Sequence, residues 1–287
     1  MARVLVLGVT GMLGNAVFRV FGADAAHQTW GTLRSAAALQ HFAADSHARL
    51  LCGIDVLDHD ALTAVMAKVR PDVVINCVGL IKQLADAKDP LTALPINAML
   101  PHRLARLCEL GGARLIHVST DCVFSGRKGM YLESDPSDAE DLYGKSKYIG
   151  ELHDLPHVIT LRTSIIGHEL GTSHALVDWF LAQQGSVRGF TKAIFSGLPT
   201  VELARVMKDF VIAHPQLKGL YHVAAEPIDK CRLLGLVAAQ YAKSIEIRPD
   251  DALVIDRSLD GSRFRAATGY VAPDWVELVR RMYQQRG

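Results

Sequence analysis

Short apolar runs alternate along the chain with longer stretches whose apolar residues recur at helical spacing. The runs are V-L-V-L (4–7), V-V-I-N (73–76), R-L-I-H-V (114–118) and V-I-T-L-R (158–162). Between them lie G-M-L-G-N-A-V-F-R-V-F, D-H-D-A-L-T-A-V-M-A-K-V and N-A-M-L-P-H-R-L-A-R-L-C-E-L, the last stopped by Gly111-Gly112 before a new run. The runs lack polar alternation, so each is expected to be buried on both faces. Strands read that way in a parallel sheet covered by helices. Residues 1–165 therefore predict a doubly wound α/β domain. After Gly167 the texture changes to turn-rich pieces, G-S-V-R-G-F-T-K and F-S-G-L-P-T, mixed with short helical patterns. Residues 166–287 predict a smaller mixed α/β C-terminal domain, with a segment near 200–225 returning to the large sheet.

The first run opens directly into G-V-T-G-M-L-G (8–14) and then a helical pattern. Gly8 permits a tight turn, Gly11 lets a diphosphate approach the backbone, and Gly14 allows the helix to pack close to the strand. In this strand–turn–helix setting the pattern predicts a Rossmann dinucleotide site, with Thr10, Met12 and Leu13 completing the turn. The second strand ends in T-W-G-T-L-R-S with no acid for a ribose hydroxyl; Arg34 stands there instead, which favours NADPH over NADH. Asp55, followed by Val56, comes after the third strand and is expected to accept from the adenine amino group or to cap the helix starting near Asp58.

Composition narrows the classes. Net charge is +1 and the basic residues are spread out, which excludes a nucleic-acid footprint or a polybasic membrane patch. The run after Met1 reads as a strand and lacks the basic start and small-residue cleavage site of a secretory signal, so none is expected, and no apolar run reaches the ~18 residues a membrane span needs. Five cysteines without CxxC spacing read as reduced thiols, so the chain is expected in the cytoplasm. Twelve histidines show no HExxH, and Pro156 sits between His153 and His157, so no metal is expected.

One stretch asks for chemistry. The fifth strand ends in Ser119-Thr120-Asp121-Cys122, two hydroxyls, a carboxylate and a thiol where packing requires none. Further on comes Tyr143-Gly-Lys-Ser-Lys147, which puts a phenol and an ammonium on one helix face. An ammonium lowers a phenol from its usual pKa of about 10 and makes it an acid for a forming alkoxide. Thr120 is placed to hydrogen-bond the same oxygen.

With these motifs the chain resembles an extended short-chain dehydrogenase/reductase, and more narrowly the dTDP-4-dehydrorhamnose reductase family. The likeness is carried by V-L-V-L-G-V-T-G-M-L-G, D-V-V-I-N-C-V-G, I-N-A, H-V-S-T-D-C-V-F-S-G, Y-L-E-S-D-P, Y-G-K-S-K-Y-I-G-E, L-R-T-S, D-R-S-L-D and P-D-W-V-E-L. It implies hydride transfer from NADPH to carbon 4 of a nucleotide-linked 4-keto-6-deoxyhexose, a step in making deoxysugar precursors for O-antigen or capsule. Thr120, Tyr143 and Lys147 match the catalytic set. Cys77, Val78 and Gly79 fall beside the nicotinamide, with Ser119 near the cofactor, and Asn97 supports the active-site helix and lysine. The resemblance allows a homodimer without marking its face.

Departures reshape the sugar side. Cys122 replaces an aromatic after Thr-Asp, and Ile165 replaces a Trp after Arg-Thr-Ser. The stretch G-F-T-K-A-I-F-S-G (189–197) resembles relatives that handle UDP-linked 2-acetamido-2,6-dideoxyhexoses, so UDP and dTDP substrates stand nearly level, with a lean to UDP. The Asp-Glu pair of the related 4,6-dehydratases is missing, which argues against elimination. Cys122 and His174 fall where the GDP-fucose synthase group keeps its epimerising Cys and His, so coupled 3,5-epimerisation is an alternative. Otherwise Cys122 is a small apolar residue and His174 lies on a surface helix. Lys192 and Arg257 are candidate diphosphate or base contacts, Arg162 is expected to be structural, and Glu133 is expected to order its loop. An NADP-binding regulatory subunit, like the methionine adenosyltransferase beta subunit, is the non-enzyme alternative.

Overall fold

The computed structural model describes residues 1–80 and 88–286. The chain forms two compact units. The first comprises 1–119, 141–161 and 215–220, and the second 120–140, 162–214 and 221–287. The single boundary expected at 165 is thus replaced by an interleaved one. Residues 120–140 leave the first unit because their side chains pack into the second, with Phe124 and Tyr131 in a buried cluster with Leu259.

The first unit holds β1 (Ala2–Leu7), β2 (His27–Leu33), β3 (Leu50–Cys52), β4 (Val73–Asn76), all but the last residue of β5 (Arg114–Thr120) and all but the last two of β6 (Val158–Thr163). A returning strand, Gly219–His222, is the seventh member of the sheet, as expected for the 200–225 segment. The order is returning strand, β6, β5, β4, β1, β2, β3. β1 pairs in parallel with β2 and β4, β2 with β3, and β4 with β5. Strand order reverses between β1 and β4, the point where doubly wound sheets open their ligand crevice. All four residues of β4 and all six of β6 are buried, which is why those runs carry no polar alternation. The helices are α1 (Met12–Gly22), α2 (His59–Val69), α3 (Pro90–Ala93), α4 (Leu100–Gly111) and α5 (Leu142–Ile149). Leu62, Val65 and Val69 of α2 and Leu100 and Leu104 of α4 bury against Leu5, Val74 and Leu115 of the strands. The helix read over 97–110 differs at its start: α3 passes through a π turn, Leu94–Met99, before α4 begins. Gly112, at φ 67°, ends α4 in the left-handed conformation.

The second unit mixes short strands and helices. β7 (Ile165–Ile166) pairs with β10 (Leu198–Pro199), and β8 (Ser186–Phe190) pairs with residues 246–250. β9 (Ala193–Phe195) lies between residues 228–229 and 255–256. Its helices are α6 (Leu176–Ala182), α7 (Thr200–Val206), α8 (Lys230–Gln240), α9 (Ser262–Thr268) and α10 (Trp275–Gln284). Fully buried Arg162 is structural, as expected: it lies 4.9 Å over the Phe124 ring and donates to His222 Nε2 at 3.0 Å. Glu133 accepts from the His222 backbone N–H at 2.8 Å and so orders its own loop. Among the described residues, no helix is long and apolar enough to cross a membrane.

Candidate active site

The glycine turn follows from crowding. Gly8 sits at φ 80°, and its N–H donates to the Thr32 hydroxyl at 3.3 Å. A Cβ on Gly14 would fall 2.1 Å from the Gly8 carbonyl oxygen, so α1 reaches the strand end only with glycine there. A Cβ on Gly11 would meet a single protein atom within 4 Å, the Gly8 oxygen at 3.4 Å. Gly11 is also the N-cap of α1, with no side-chain cap and no acid in the first turn. Thr10 and Gly11 are exposed, Met12 is half-buried and Leu13 is buried. An open, uncapped helix start with room at Gly11 fits the diphosphate of a dinucleotide. Arg34 is exposed one residue beyond β2. Asp55 is exposed and accepts from the Leu57 N–H at 2.9 Å. It does not cap α2; Asp58 does, accepting from Asp60 and Ala61. Val56 beside it is buried.

The rest of the first unit's site is a buried polar cluster. Asn76, ending β4, holds the Val78 N–H at 3.1 Å through Oδ1 and donates to His117 Nδ1 at 3.2 Å. His117 therefore carries its proton on Nε2, and burial keeps it neutral by pushing its pKa well below the usual imidazole value. Asn97, in the π turn, accepts from the Leu80 N–H at 2.9 Å and donates to the Ser146 hydroxyl of α5 at 3.2 Å. A Cβ on Gly79 would lie 3.7 Å from Asn97 Oδ1 and 4.0 Å from Lys147 Nζ, so the 77–79 loop, Asn97 and Lys147 share one place. Lys147 is buried and donates to the Val118 carbonyl at 2.8 Å. Burial pulls it down to about 8, against the upward pull of Glu151 and Cys77. Burial also pushes the Cys77 thiol up to about 12. Tyr143 is half-buried one turn before Lys147 on α5. Ser119 donates to Glu151 at 2.6 Å. Glu151 closes the motif Y-G-K-S-K-Y-I-G-E, and its burial is not visible from spacing.

In the second unit, Thr120 starts a single 3-10 turn, Asp121–Val123. Its hydroxyl accepts from the Cys122 N–H at 3.1 Å and donates to Asp121 Oδ1 at 3.2 Å. Burial raises the Asp121 pKa, while Arg257 and hydrogen bonds from Cys122, Thr120 and Ser164 pull the other way. Arg257 donates to the Phe124 carbonyl at 2.7 Å and points Nη1 at the Cys122 sulfur at 3.7 Å. Burial and the Asp121 charge push the Cys122 thiol up to about 12, the wrong direction for a base. Thr120, Asp121, Cys122 and Arg257 thus form one cluster, joined by Ser164 beside Ile165. Lys192 is elsewhere, exposed and paired with Asp251 at 3.1 Å. His174 lies in an exposed loop two residues before α6, not on a helix. Gly189 and Gly197 of the 189–197 stretch serve packing: a Cβ would fall 2.7 Å from Cys231 Sγ at the first and 2.2 Å from the Ser164 oxygen at the second. Among the described residues, no group of three His, Cys, Asp or Glu could hold a metal ion.

The chain is similar to known proteins along its length. A family model described as RmlD substrate binding domain matches residues 2–286. The chain is 31% identical to the methionine adenosyltransferase 2 subunit beta of Danio rerio, over 78% of this chain and 69% of that protein. It is 26% identical to the dTDP-4-dehydrorhamnose reductase of Salmonella typhimurium, over 98% of this chain and 96% of that enzyme. Among solved structures, dTDP-4-dehydrorhamnose reductase from Bacillus anthracis in complex with NADP superposes with a TM-score of 0.79 at 21% identity, covering 99% of this chain and 98% of that one.

Proposed function

The chain belongs to the RmlD substrate binding domain family, and from that premise we propose that it is an NADPH-dependent reductase acting on the carbon-4 carbonyl of a nucleotide-linked 4-keto-6-deoxyhexose. The observation that carries this reading is Lys147, a buried ammonium fixed on the Val118 carbonyl one helical turn from Tyr143. Burial costs the ammonium its solvation, and a place one turn from a phenol whose anion it stabilises accounts for that cost.

Bound at the glycine turn, NADPH supplies the hydride for carbon 4. Tyr143 gives its phenolic proton to the oxygen that becomes the alkoxide, and Lys147 stabilises the phenolate left behind. Thr120 hydrogen-bonds the same oxygen, for which its hydroxyl turns away from Asp121. Uncapped N–H groups of α1 take the diphosphate, and Arg34 takes the 2′-phosphate. Cys77, Val78 and Gly79 flank the nicotinamide. On the sugar side Cys122 acts as a neutral, small wall residue, since its thiol stays protonated near neutral pH. Removal of protons at carbons 3 and 5 by Cys122 and His174 is therefore not part of the proposal.

The reductase relatives favour a dTDP-linked substrate, and the 189–197 stretch loses weight for UDP because Gly189 and Gly197 are occupied with packing. The test is loss of NADPH absorbance with dTDP-4-keto-L-rhamnose and, in parallel, with UDP-2-acetamido-2,6-dideoxy-hexos-4-ulose. Oxidation abolished by Tyr143→Phe supports the reductase and chooses the nucleotide. A second reading, an NADP-binding regulatory subunit, is favoured by the likeness to the methionine adenosyltransferase subunit. Tight NADPH binding with no oxidation of either ketosugar would select it.

A further inference from the structure

Two successive residues of β5 are held by two successive turns that begin in α5. Lys147 donates to the Val118 carbonyl at 2.8 Å. Glu151, four residues on, accepts from the Ser119 hydroxyl at 2.6 Å. The turn continues past the end of α5, since the Glu151 N–H donates to the Tyr148 carbonyl at 3.1 Å. The next residue of β5 is Thr120. The Glu151 side chain is 0% exposed, and its second oxygen accepts from His153 Nε2 at 3.3 Å, on a side chain that is 41% exposed. A buried carboxylate is unfavourable unless its charge is compensated. For the hydrogen bond from Ser119 a neutral glutamine would serve as well. The charge itself needs a reason, and the buried ammonium of Lys147, which Glu151 pulls upward in pKa, supplies one.

We propose that Glu151 is a positioning residue for the reduction: its carboxylate keeps Lys147 in the charged form and locks the Ser119 end of β5 against α5. The inference rests on the reductase reading for its functional meaning. The titratable groups facing Lys147 include Glu151, Cys77 from the loop after β4 and His117 from β5, with Tyr143 one turn back on α5. Those facing Glu151 are Lys147, His117 and, on the outer side, His153. Cys77 holds its proton to about 12, and His117 stays neutral. Glu151 is then the carboxylate placed to answer Lys147, and His153 is its partner towards solvent.

The experiment follows Lys147 directly, by side-chain NMR of protein carrying 13C,15N-lysine, with the Lys147 signal assigned by its loss in Lys147→Arg. Wild type should titrate near 8. Glu151→Gln should lower the midpoint by about one pH unit or more, with Glu151→Asp in between. In turnover, the alkaline limb of kcat should move down by the same amount while the KM for NADPH holds. A midpoint unchanged in both variants overturns the proposal. If Glu151→Gln does not fold, Glu151→Asp decides alone, because a shorter carboxylate that leaves the midpoint at the wild-type value removes the argument. Failure of wild type to oxidise NADPH would overturn the reductase reading, while the NMR midpoint still decides what Glu151 does to Lys147. An active wild type whose variants keep its midpoint sinks this inference alone.

Discussion

Glu151 and Asp121 are both buried carboxylates, each next to a residue of the same strand end, yet their surroundings differ. Glu151, in the first unit, has Ser119 and His153 as hydrogen-bond partners and faces the ammonium of Lys147. Asp121, in the second, is surrounded by the hydroxyls of Thr120 and Ser164 and the thiol of Cys122, with Arg257 as the nearby cation, and burial raises its pKa. The first environment fixes charge around a lysine. The second sets one cation, Arg257, and several small donors around a carboxylate, and the hydroxyls and the thiol can turn towards a new partner. Chemistry common to many substrates belongs with fixed charge. Discrimination between sugars is predicted to rest on the small groups around Asp121 other than Thr120, which can reorient or change in size.

The sharpest way to break this comparison is to remove one hydroxyl from each side. Tyr143→Phe should lower kcat by about 10²–10⁴-fold, the usual worth of a general acid, with NADPH affinity held. Thr120→Val should cost less, about 10–100-fold, since it removes one hydrogen bond to the oxygen. Steady-state NADPH oxidation measures both. A Thr120 effect equal to that of Tyr143 would put the second unit's cluster on the same footing as the first and end the contrast.

The next effect tests the cofactor end of the first unit. Arg34 is exposed just past β2. Replacing it by Ala should raise the Kd for NADPH by about 10–100-fold, the worth of a charged hydrogen-bonding contact, and leave NADH unchanged. Titration of protein fluorescence with each nucleotide reads the ratio. Equal losses for both would show that Arg34 does not touch the 2′-phosphate.

The first unit was largely legible, for reasons that lie in particular residues. Runs such as V-V-I-N and V-I-T-L-R are apolar without alternation because both faces of β4 and β6 are buried, and burial on both faces leaves a pattern in sequence. Gly8, Gly11 and Gly14 are legible because crowding at the turn admits little else. Asp58 rather than Asp55 caps α2, and spacing alone could not separate two acids three residues apart. The π turn at 94–99 was hidden because one extra residue in a helical turn hardly changes apolar periodicity. In the second unit the signal fails for a different reason. Its strands are as short as two residues, too short to show a period, and its contacts join distant segments, as Arg257 with Phe124. Cys122 was identified by type, but its protonation depends on burial and on Asp121, which no spacing reports.

A smaller effect concerns that thiol. If Cys122 only shapes the pocket, the product formed in deuterium oxide should carry no label at carbons 3 and 5, as read by mass spectrometry. Cys122→Ser should then change kcat/KM by about threefold or less while altering the ratio between the dTDP and UDP sugars. Deuterium at either carbon would mean that the second unit performs acid–base chemistry of its own, and the division between fixed charge and adjustable wall would fall.

The smallest effect expected is at Lys192. The side chain is 54% exposed, and its partner Asp251 is 74% exposed, so the pair is screened by solvent. Exposed pairs of this kind contribute about 0–1 kcal/mol to stability. Lys192→Ala should therefore leave the unfolding midpoint nearly unchanged and shift the substrate KM by about twofold or less. The reason is geometric as well as electrostatic: the chain around Lys192 is tied to residues 250–251, with the Thr191 N–H donating to the Asp250 carbonyl at 2.9 Å, which fixes the backbone but leaves the ammonium in water. A tenfold rise in KM with kcat unchanged would mean that Lys192 leaves Asp251 to bind the diphosphate. The 189–197 stretch would then carry recognition as well as packing, and the second unit would bring a second cation besides Arg257 to its ligand.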